Sequence, residues 1–173
     1  MGDIVKKSKS VKLAVLAISI AVVTVFTKVV RIPTGKGYLN LCDVAIAFIA
    51  YSFGPVTAAI AGGVGPAIAD AVGGYPQWAV VSFIVHGLEG LLMALVMKYL
   101  FFLPVKNVIA GLVCIVVVAG GYFVLSGAFI TDWAAAVAEV PGNIVQSAVG
   151  AVFGYIIHVG VKKAYPPISS YGF

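Results

Sequence analysis

Asp70-Ala-Val-Gly-Gly-Tyr-Pro-Gln-Trp78 stands between two long apolar segments, residues 55–72 and 78–102, and its reading decides the fold. Two glycines free the backbone there, and Pro76 stops the first segment from running on into the second as one helix. The flanking segments have the composition of lipid-embedded helices, yet the junction collects a carboxylate, a phenol, an amide and an indole. Tyr75 and Trp78 are amphipathic aromatics of the kind that sit at headgroup level. A polar, aromatic turn at the mouth of a helical bundle is either a ligand rim or an interfacial anchor, and this stretch alone supports both.

The rest of the chain shares that character. Of 173 residues, 62% are hydrophobic and 10% charged, with a mean hydropathy of +1.12; an ordinary soluble domain carries about 25% charged residues. The apolar runs are continuous rather than alternating, which argues against a barrel. At about 20 residues per spanning helix, the length fits an all-α membrane protein with six transmembrane helices in one domain, residues 1–173. The expected spans are 11–30, 39–53, 55–72, 78–102, 108–129 and 135–161, with Gly54-Pro55 as a tight reversal.

A net charge of +5 in a soluble protein would raise nucleic acid as a partner; here the cations lie outside the apolar runs, and topology accounts for them. Six spans put Lys6, Lys7, Lys9, Lys12, Lys98, Lys106, Lys162 and Lys163 on one side and Lys28, Arg31 and Lys36 on the other. The excess of positive charge assigns both termini to the cytoplasm. The 31–40 loop, the Tyr75 turn and Asp132 then face outward. No signal-peptide pattern precedes the first apolar run, which is expected to remain as a helix. Cys42 and Cys114 are isolated within apolar segments and lack metal-ligand spacing, so they are expected to be packing residues and no metal site is expected.

Glu139, Asn143 and Gln146 stand at i, i+4 and i+7 and project from one helical face. Such groups rarely face lipid, so the stripe is expected to face the bundle interior; Pro141 is expected near the helix start, where it is tolerated. With Tyr75, Gln77 and Trp78 they would suit a small, polar, planar ligand, although interhelical hydrogen bonding is the competing reading. His86 and Glu89, at i, i+3, would pair with each other, touch the ligand or bind a proton. Asn40 and Asp43 would either reach the pocket or cap the second helix, and Asp70 would bond neighbouring backbone. Ala14, Ala17 and Ala21 form a small-residue stripe fit for close helix packing, inside the bundle or against a partner. Ala58, Gly62, Gly65, Ala69 and Gly73 form a second stripe, expected to serve internal packing.

Enzyme signatures are absent: no His-Glu-x-x-His, no Gly-x-Ser-x-Gly and no Gly-rich loop ending in Lys-Ser/Thr. Ser126 is expected toward the outer end of the fifth helix and His158 near the inner end of the sixth, too far apart to pair as in an intramembrane serine protease. A small intramembrane enzyme built on His86 and Glu89 remains the alternative to a binding protein.

Three segments, Asp70 to Trp78, His86-Gly-Leu-Glu-Gly90 and Val140-Pro-Gly-Asn-Ile-Val-Gln146, resemble segments of the S components of energy-coupling factor (ECF) transporters. The resemblance spans essentially the whole chain, and Ala17-x-x-x-Ala21 is similar to the family's alanine motif on the first helix. It implies a substrate-binding subunit of the bacterial plasma membrane, without catalytic residues, ATPase activity or cofactor of its own. ATP would be hydrolysed by two partner ATPases, and Ala14, Ala17 and Ala21 would dock on the T subunit that joins them. The Gly-Gly-Tyr-Pro-Gln-Trp and Pro-Gly-Asn segments look most like the hydroxymethylpyrimidine or pyridoxine branch, with riboflavin, thiamine and pantothenate as alternatives. The resemblance further implies a vitamin captured from outside beneath the 31–40 and 73–77 loops, then released inward as the protein topples. The residues expected to touch it are Asn40, Tyr75, Gln77, Trp78, His86, Glu89, Glu139, Asn143 and Gln146.

Overall fold

The helix ends follow from local sequence. In the computed structural model, which describes residues 8–33, 38–100, 102 and 104–171, α1 (Lys9–Val29) is capped by Ser8, whose hydroxyl accepts from the Val11 amide at 3.3 Å. Two short antiparallel strands follow, β1 (Ile32–Pro33) and β2 (Tyr38–Leu39). After α2 (Cys42–Phe53), Gly54 reverses the chain at φ +84°, a left-handed conformation that a side chain would strain. Pro55 then opens α3 (Pro55–Ala71), where its missing amide removes no helical bond. Gly74, at φ +92°, serves the same purpose in the next turn, and a single 3-10 turn (Pro76–Trp78) leads into α4 (Ala79–Tyr99). α5 (Lys106–Phe129) and α6 (Trp133–Ala164) complete the bundle, and a 3-10 turn at Pro166–Tyr171 packs against α2 and α6. Lys6, Lys7, Lys36 and the rest of the 34–37 loop lie outside the described residues.

Among the described residues, four segments are long and apolar enough to cross a membrane: Lys9–Val29, Pro76–Tyr99, Lys106–Phe129 and Trp133–Ala164. The segment expected as a second span, 39–53, instead starts as strand β2 and becomes helical only at Cys42. Its twelve helical residues reach about 18 Å at 1.5 Å each, well short of the about 30 Å of a hydrocarbon core. All of α2 except Phe48 and Phe53 is buried, and α1, α3, α4 and α6 surround it. A helix that is apolar all round belongs in a protein interior, and α2 is the core helix of this bundle. α3, with 17 residues, reaches about 26 Å.

Small residues set how closely the helices approach. A Cβ added at Gly62 would lie 2.5 Å from the His86 carbonyl oxygen, and one at Gly90 2.5 Å from that of Ala58, so α3 and α4 meet backbone to backbone. The α3 stripe therefore serves internal packing, as expected. Outward-facing positions of α1 and α5 carry exposed Leu13, Ile18, Val25, Leu112, Val116 and Val124, the surface expected of helices facing lipid.

One expectation about α6 needs correction. Asp132 Oδ1 accepts from the Ala135 amide at 2.8 Å and starts the helix at Trp133, so Pro141 lies about two turns inside it rather than in the first turn. Its ring removes an interior donor, leaving the Val137 carbonyl without its i+4 partner.

The N-terminus of α1, the C-terminus of α4, the N-terminus of α5 and the C-terminus of α6 gather at one end of the bundle, where Lys106, Lys162 and Lys163 line a shallow basic recess. The opposite end holds the cavity described next.

Candidate functional site

A cavity of about 290 Å³ opens at the end of the bundle away from those lysines. Most elements contribute one or more side chains to it: Thr27 from α1, Tyr38 and Leu39 from β2, Asn40 before α2, Pro66 and Asp70 from α3. Trp78 comes from the 3-10 turn, Ser82 and His86 from α4, and Tyr122 from α5. Ala135, Ala138, Glu139, Gly142, Asn143 and Gln146 form one wall along α6. The i, i+4, i+7 spacing of Glu139, Asn143 and Gln146 thus turns all three to the same recess.

The floor is a polar cluster shared by four helices. Gln146 accepts from the Asn40 amide at 2.7 Å through Oε1 and donates to Asp43 Oδ2 at 2.9 Å through Nε2. His86 Nδ1 lies 3.1 Å from Asp43 Oδ1 and 2.7 Å from Glu89 Oε2, so one imidazole nitrogen is held between two carboxylates. The Cys42 thiol donates to Asp43 Oδ1 at 3.3 Å and the Cys114 thiol to Glu89 Oε1 at 3.2 Å. Both cysteines are buried, as packing residues would be, but each is also a hydrogen-bond donor to a buried carboxylate. Cys42, Asp43 and His86 bring three metal-ligand atoms within 4.8 Å of one another; the bonds just given satisfy those atoms among themselves.

The rim is built differently. The Tyr38 hydroxyl donates to Asp70 Oδ1 at 2.5 Å, and the ring packs on Tyr75 with centroids 4.9 Å apart. Burial, and then the bond to Asp70, holds the Tyr38 phenol well above its ordinary pKa, so it remains a donor. The Arg31 guanidinium donates to the carbonyls of Ala69 and Gly73 at 3.1 Å each. It lies 4.3 Å over the Tyr38 ring, and so ties the hairpin to the negative end of the α3 dipole. Ser82 and Tyr122 share a hydrogen bond of 2.7 Å, and Tyr122 meets the rings of Trp78 and His86 at 6.0 and 5.5 Å.

Of the residues expected at the site, Asn40, Trp78, His86, Glu139, Asn143 and Gln146 line the cavity. Asn40 also accepts from the Cys42 amide at 2.7 Å, so it both starts α2 and reaches the recess. Three others do not line it. Gln77 is exposed on the 3-10 turn, Tyr75 supports Tyr38 from outside, and Glu89 is fully buried behind His86. Ala14, Ala17 and Ala21 are all exposed, on the side of α1 away from its buried Ser19, Val23 and Thr27. Ser126 and His158 are not paired; His158 Nδ1 lies 2.9 Å from the Ser52 hydroxyl instead.

The family profile of the ECF-type riboflavin transporter S component matches residues 7–163. The chain belongs to this family. An uncharacterized protein in a gap 3′ region of Pyrococcus woesei is 37% identical over 152 residues, covering 84% of this chain and 98% of its own. The thiamine precursor transporter HmpT of Lactococcus lactis subsp. cremoris (strain MG1363) is 33% identical over 156 residues, 88% of each chain. As an S component the protein is a part of a transporter rather than an enzyme, and a multi-pass protein of the bacterial cell membrane.

Sequence reasoning overlooked Thr27, Tyr38, Ser82 and Tyr122 as parts of this S component's cavity. Thr27 and Ser82 carry no signal of their own. Tyr38 and Tyr122 had one, since a tyrosine hydroxyl within or beside an apolar span needs a partner.

Proposed function

We propose that this S component captures a small water-soluble vitamin or precursor from outside the cell, a hydroxymethylpyrimidine or pyridoxine type of ligand, and delivers it inward. The observation that carries the reading is the cavity itself: a recess open at one end of the bundle, whose wall combines three aromatic rings with amide, hydroxyl, imidazole and carboxylate groups. Apolar pockets with a few placed polar groups are the usual form of small-molecule sites, at about 300–1,000 Å³. At about 290 Å³ this one is at the lower limit and suits a single ring better than a tricyclic flavin. The relation to a thiamine precursor transporter supports the same choice. Riboflavin is the second reading, favoured by the description of the matching family.

The topology belongs to the same proposal. Six helices are embedded in the bilayer, the short α2 enclosed by its neighbours without spanning it, and the lysine-rich end with both termini is cytoplasmic by the positive-inside rule. The cavity then opens outward. Delivery requires docking to a T subunit carrying two ATPases, since family membership implies those partners; the exposed Ala14, Ala17 and Ala21 supply a smooth surface for that contact. Glu139, Asn143, Gln146, Trp78, His86 and Asn40 contact the ligand, while Tyr75 and Glu89 act through Tyr38 and His86. Glu89, closed off from the cavity, gives no support to an enzyme reading.

Mass spectrometry of small molecules that copurify with the protein, followed by titration of the emptied protein with the compounds found, tests this. Saturable binding that weakens when Asn143 or Gln146 is changed to Ala is expected. Undiminished binding in both variants would place the ligand elsewhere.

A further inference from the structure

The described residues lining the cavity include no lysine or arginine, whereas Asp70 and Glu139 place two carboxylates on its wall. The Arg31 guanidinium, close to the end of α3, is engaged by the Ala69 and Gly73 carbonyls and the Tyr38 ring. Asp70 is only 3% exposed. Its Oδ1 accepts the Tyr38 hydroxyl, and its Oδ2 makes no hydrogen bond, the neighbouring Ser82 hydroxyl being shared with Tyr122. Buried carboxylate oxygens ordinarily have donors, and leaving one without is costly. This one belongs to a cavity walled by Tyr38, Trp78 and Tyr122, rings against which a flat cationic or heteroaromatic group packs well.

Resting on the S-component reading of the cavity, we infer that Asp70 is the ligand's anchor. The site selects a flat heterocycle that presents an N–H-bearing edge: the amidinium of a ring-protonated aminopyrimidine or the N–H of a protonated pyridine. A carboxylate receives two parallel N–H groups well, and charge assistance strengthens both bonds. A lactam edge, with a carbonyl beside its N–H, would set oxygen against oxygen. A carboxylate or phosphate ligand would bring like charge into a poorly screened recess. Neutral flavins and anionic vitamins are therefore disfavoured.

Binding to the purified full chain tests this, read by tryptophan fluorescence because Trp78 lines the cavity while Trp133, the second of two tryptophans, is exposed. The probes are 4-amino-5-hydroxymethyl-2-methylpyrimidine, its 4-oxo counterpart, riboflavin and pyridoxal 5′-phosphate. The wild type is expected to bind the amino compound about tenfold or more tightly than the oxo compound. Asp70→Asn replaces an acceptor pair by one acceptor and one donor, which complements a lactam and a neutral aminopyrimidine alike, and should abolish that preference. A wild type that prefers the oxo compound, riboflavin or the phosphate overturns the inference and leaves the S-component reading standing. Equal weakening of both pyrimidines by Asp70→Asn also overturns it, since a merely structural carboxylate would act that way. A wild type that binds none of the four probes, or any compound copurified with it, refutes the cavity reading itself. The wild-type preference needs no variant, so misfolding of Asp70→Asn cannot rescue the idea.

Discussion

Asp43→Ala is the perturbation that most directly tests the polar floor. Asp43 is fully buried, lies 3.1 Å from His86 Nδ1, and accepts from Gln146 Nε2 at 2.9 Å and the Cys42 thiol at 3.3 Å. Alanine leaves all three without that carboxylate. Breaking a buried charged pair by removing one partner costs about 3–5 kcal/mol. Glu89 remains 2.7 Å from His86 Nδ1, so the imidazole keeps one counter-charge and the lower figure, about 3 kcal/mol, applies. For a chain of this length each kcal/mol lowers the melting temperature by about 2–4 °C, which gives a fall of about 6–12 °C. Gln146→Ala is the internal comparison. It removes the bonds to the Asn40 amide and to Asp43, and interhelical hydrogen bonds in membranes average only about 0.6 kcal/mol. Its expected fall is a few degrees, with Asp43→Asn between the two because it keeps the shape and an acceptor for Gln146. Thermal unfolding of the detergent-solubilised variants, followed by size-exclusion chromatography of the surviving fraction, measures the series. An Asp43→Ala protein within about 2 °C of wild type, or one more stable than Gln146→Ala, would show that the floor does not hold His86 through this carboxylate.

Three further outcomes are expected. Ala17→Trp or Ala21→Trp, on exposed positions of α1, should leave ligand binding and melting temperature unchanged while abolishing vitamin uptake in cells; loss of binding as well would mean that the stripe is internal packing. Gly62→Val should destabilise by about 1–3 kcal/mol through overpacking, because its Cβ would already lie 2.5 Å from the His86 carbonyl, and a normal melting curve would show that α3 and α4 separate freely. Tyr38→Phe keeps the ring on Arg31 and Tyr75 but removes the donor to Asp70; a bond to a charged group is worth about 1.5–3 kcal/mol, so affinity should fall by about tenfold or more, and equal affinities would separate Asp70 from the ligand site.

The helical class and the inward face of α6 were legible because both follow from periodicity. Glu139, Asn143 and Gln146 share a face whatever surrounds them, and a helix in lipid turns such a face inward. The length of α2 was not legible. Tyr38-Leu-Asn-Leu-Cys reads as the start of an apolar run, yet the first residues pair as a strand and Asn40 sets the helix start only at Cys42. Nor was the partnership of Asp43, His86 and Glu89 with both cysteines, since it joins α2, α4 and α5 across separations that one sequence cannot pair. Gln77 shows the opposite error: it neighbours Trp78 in sequence, but the 3-10 turn directs Trp78 inward and leaves Gln77 exposed. The start of α6 depended on Asp132, which the apolar count passed over and the capping rule would have found.

The distribution of acidic residues decides between a bundle merely held together by polar contacts and one built around a recess. Four of the chain's six acidic residues, Asp43, Asp70, Glu89 and Glu139, line the cavity or lie directly beneath it. Placing a charged side chain within a spanning helix costs about 2.5–3.5 kcal/mol on insertion scales, whereas an interhelical hydrogen bond returns about 0.6 kcal/mol on average. Serine, threonine or asparagine would join helices at lower cost. Four carboxylates drawn to one end of a bundle, away from the lysines at the other, are an expense that packing does not offset. A recess that recognises a donor-rich ligand does account for them: Asp70 and Glu139 face it, and Asp43 and Glu89 fix the orientation of His86 on its wall.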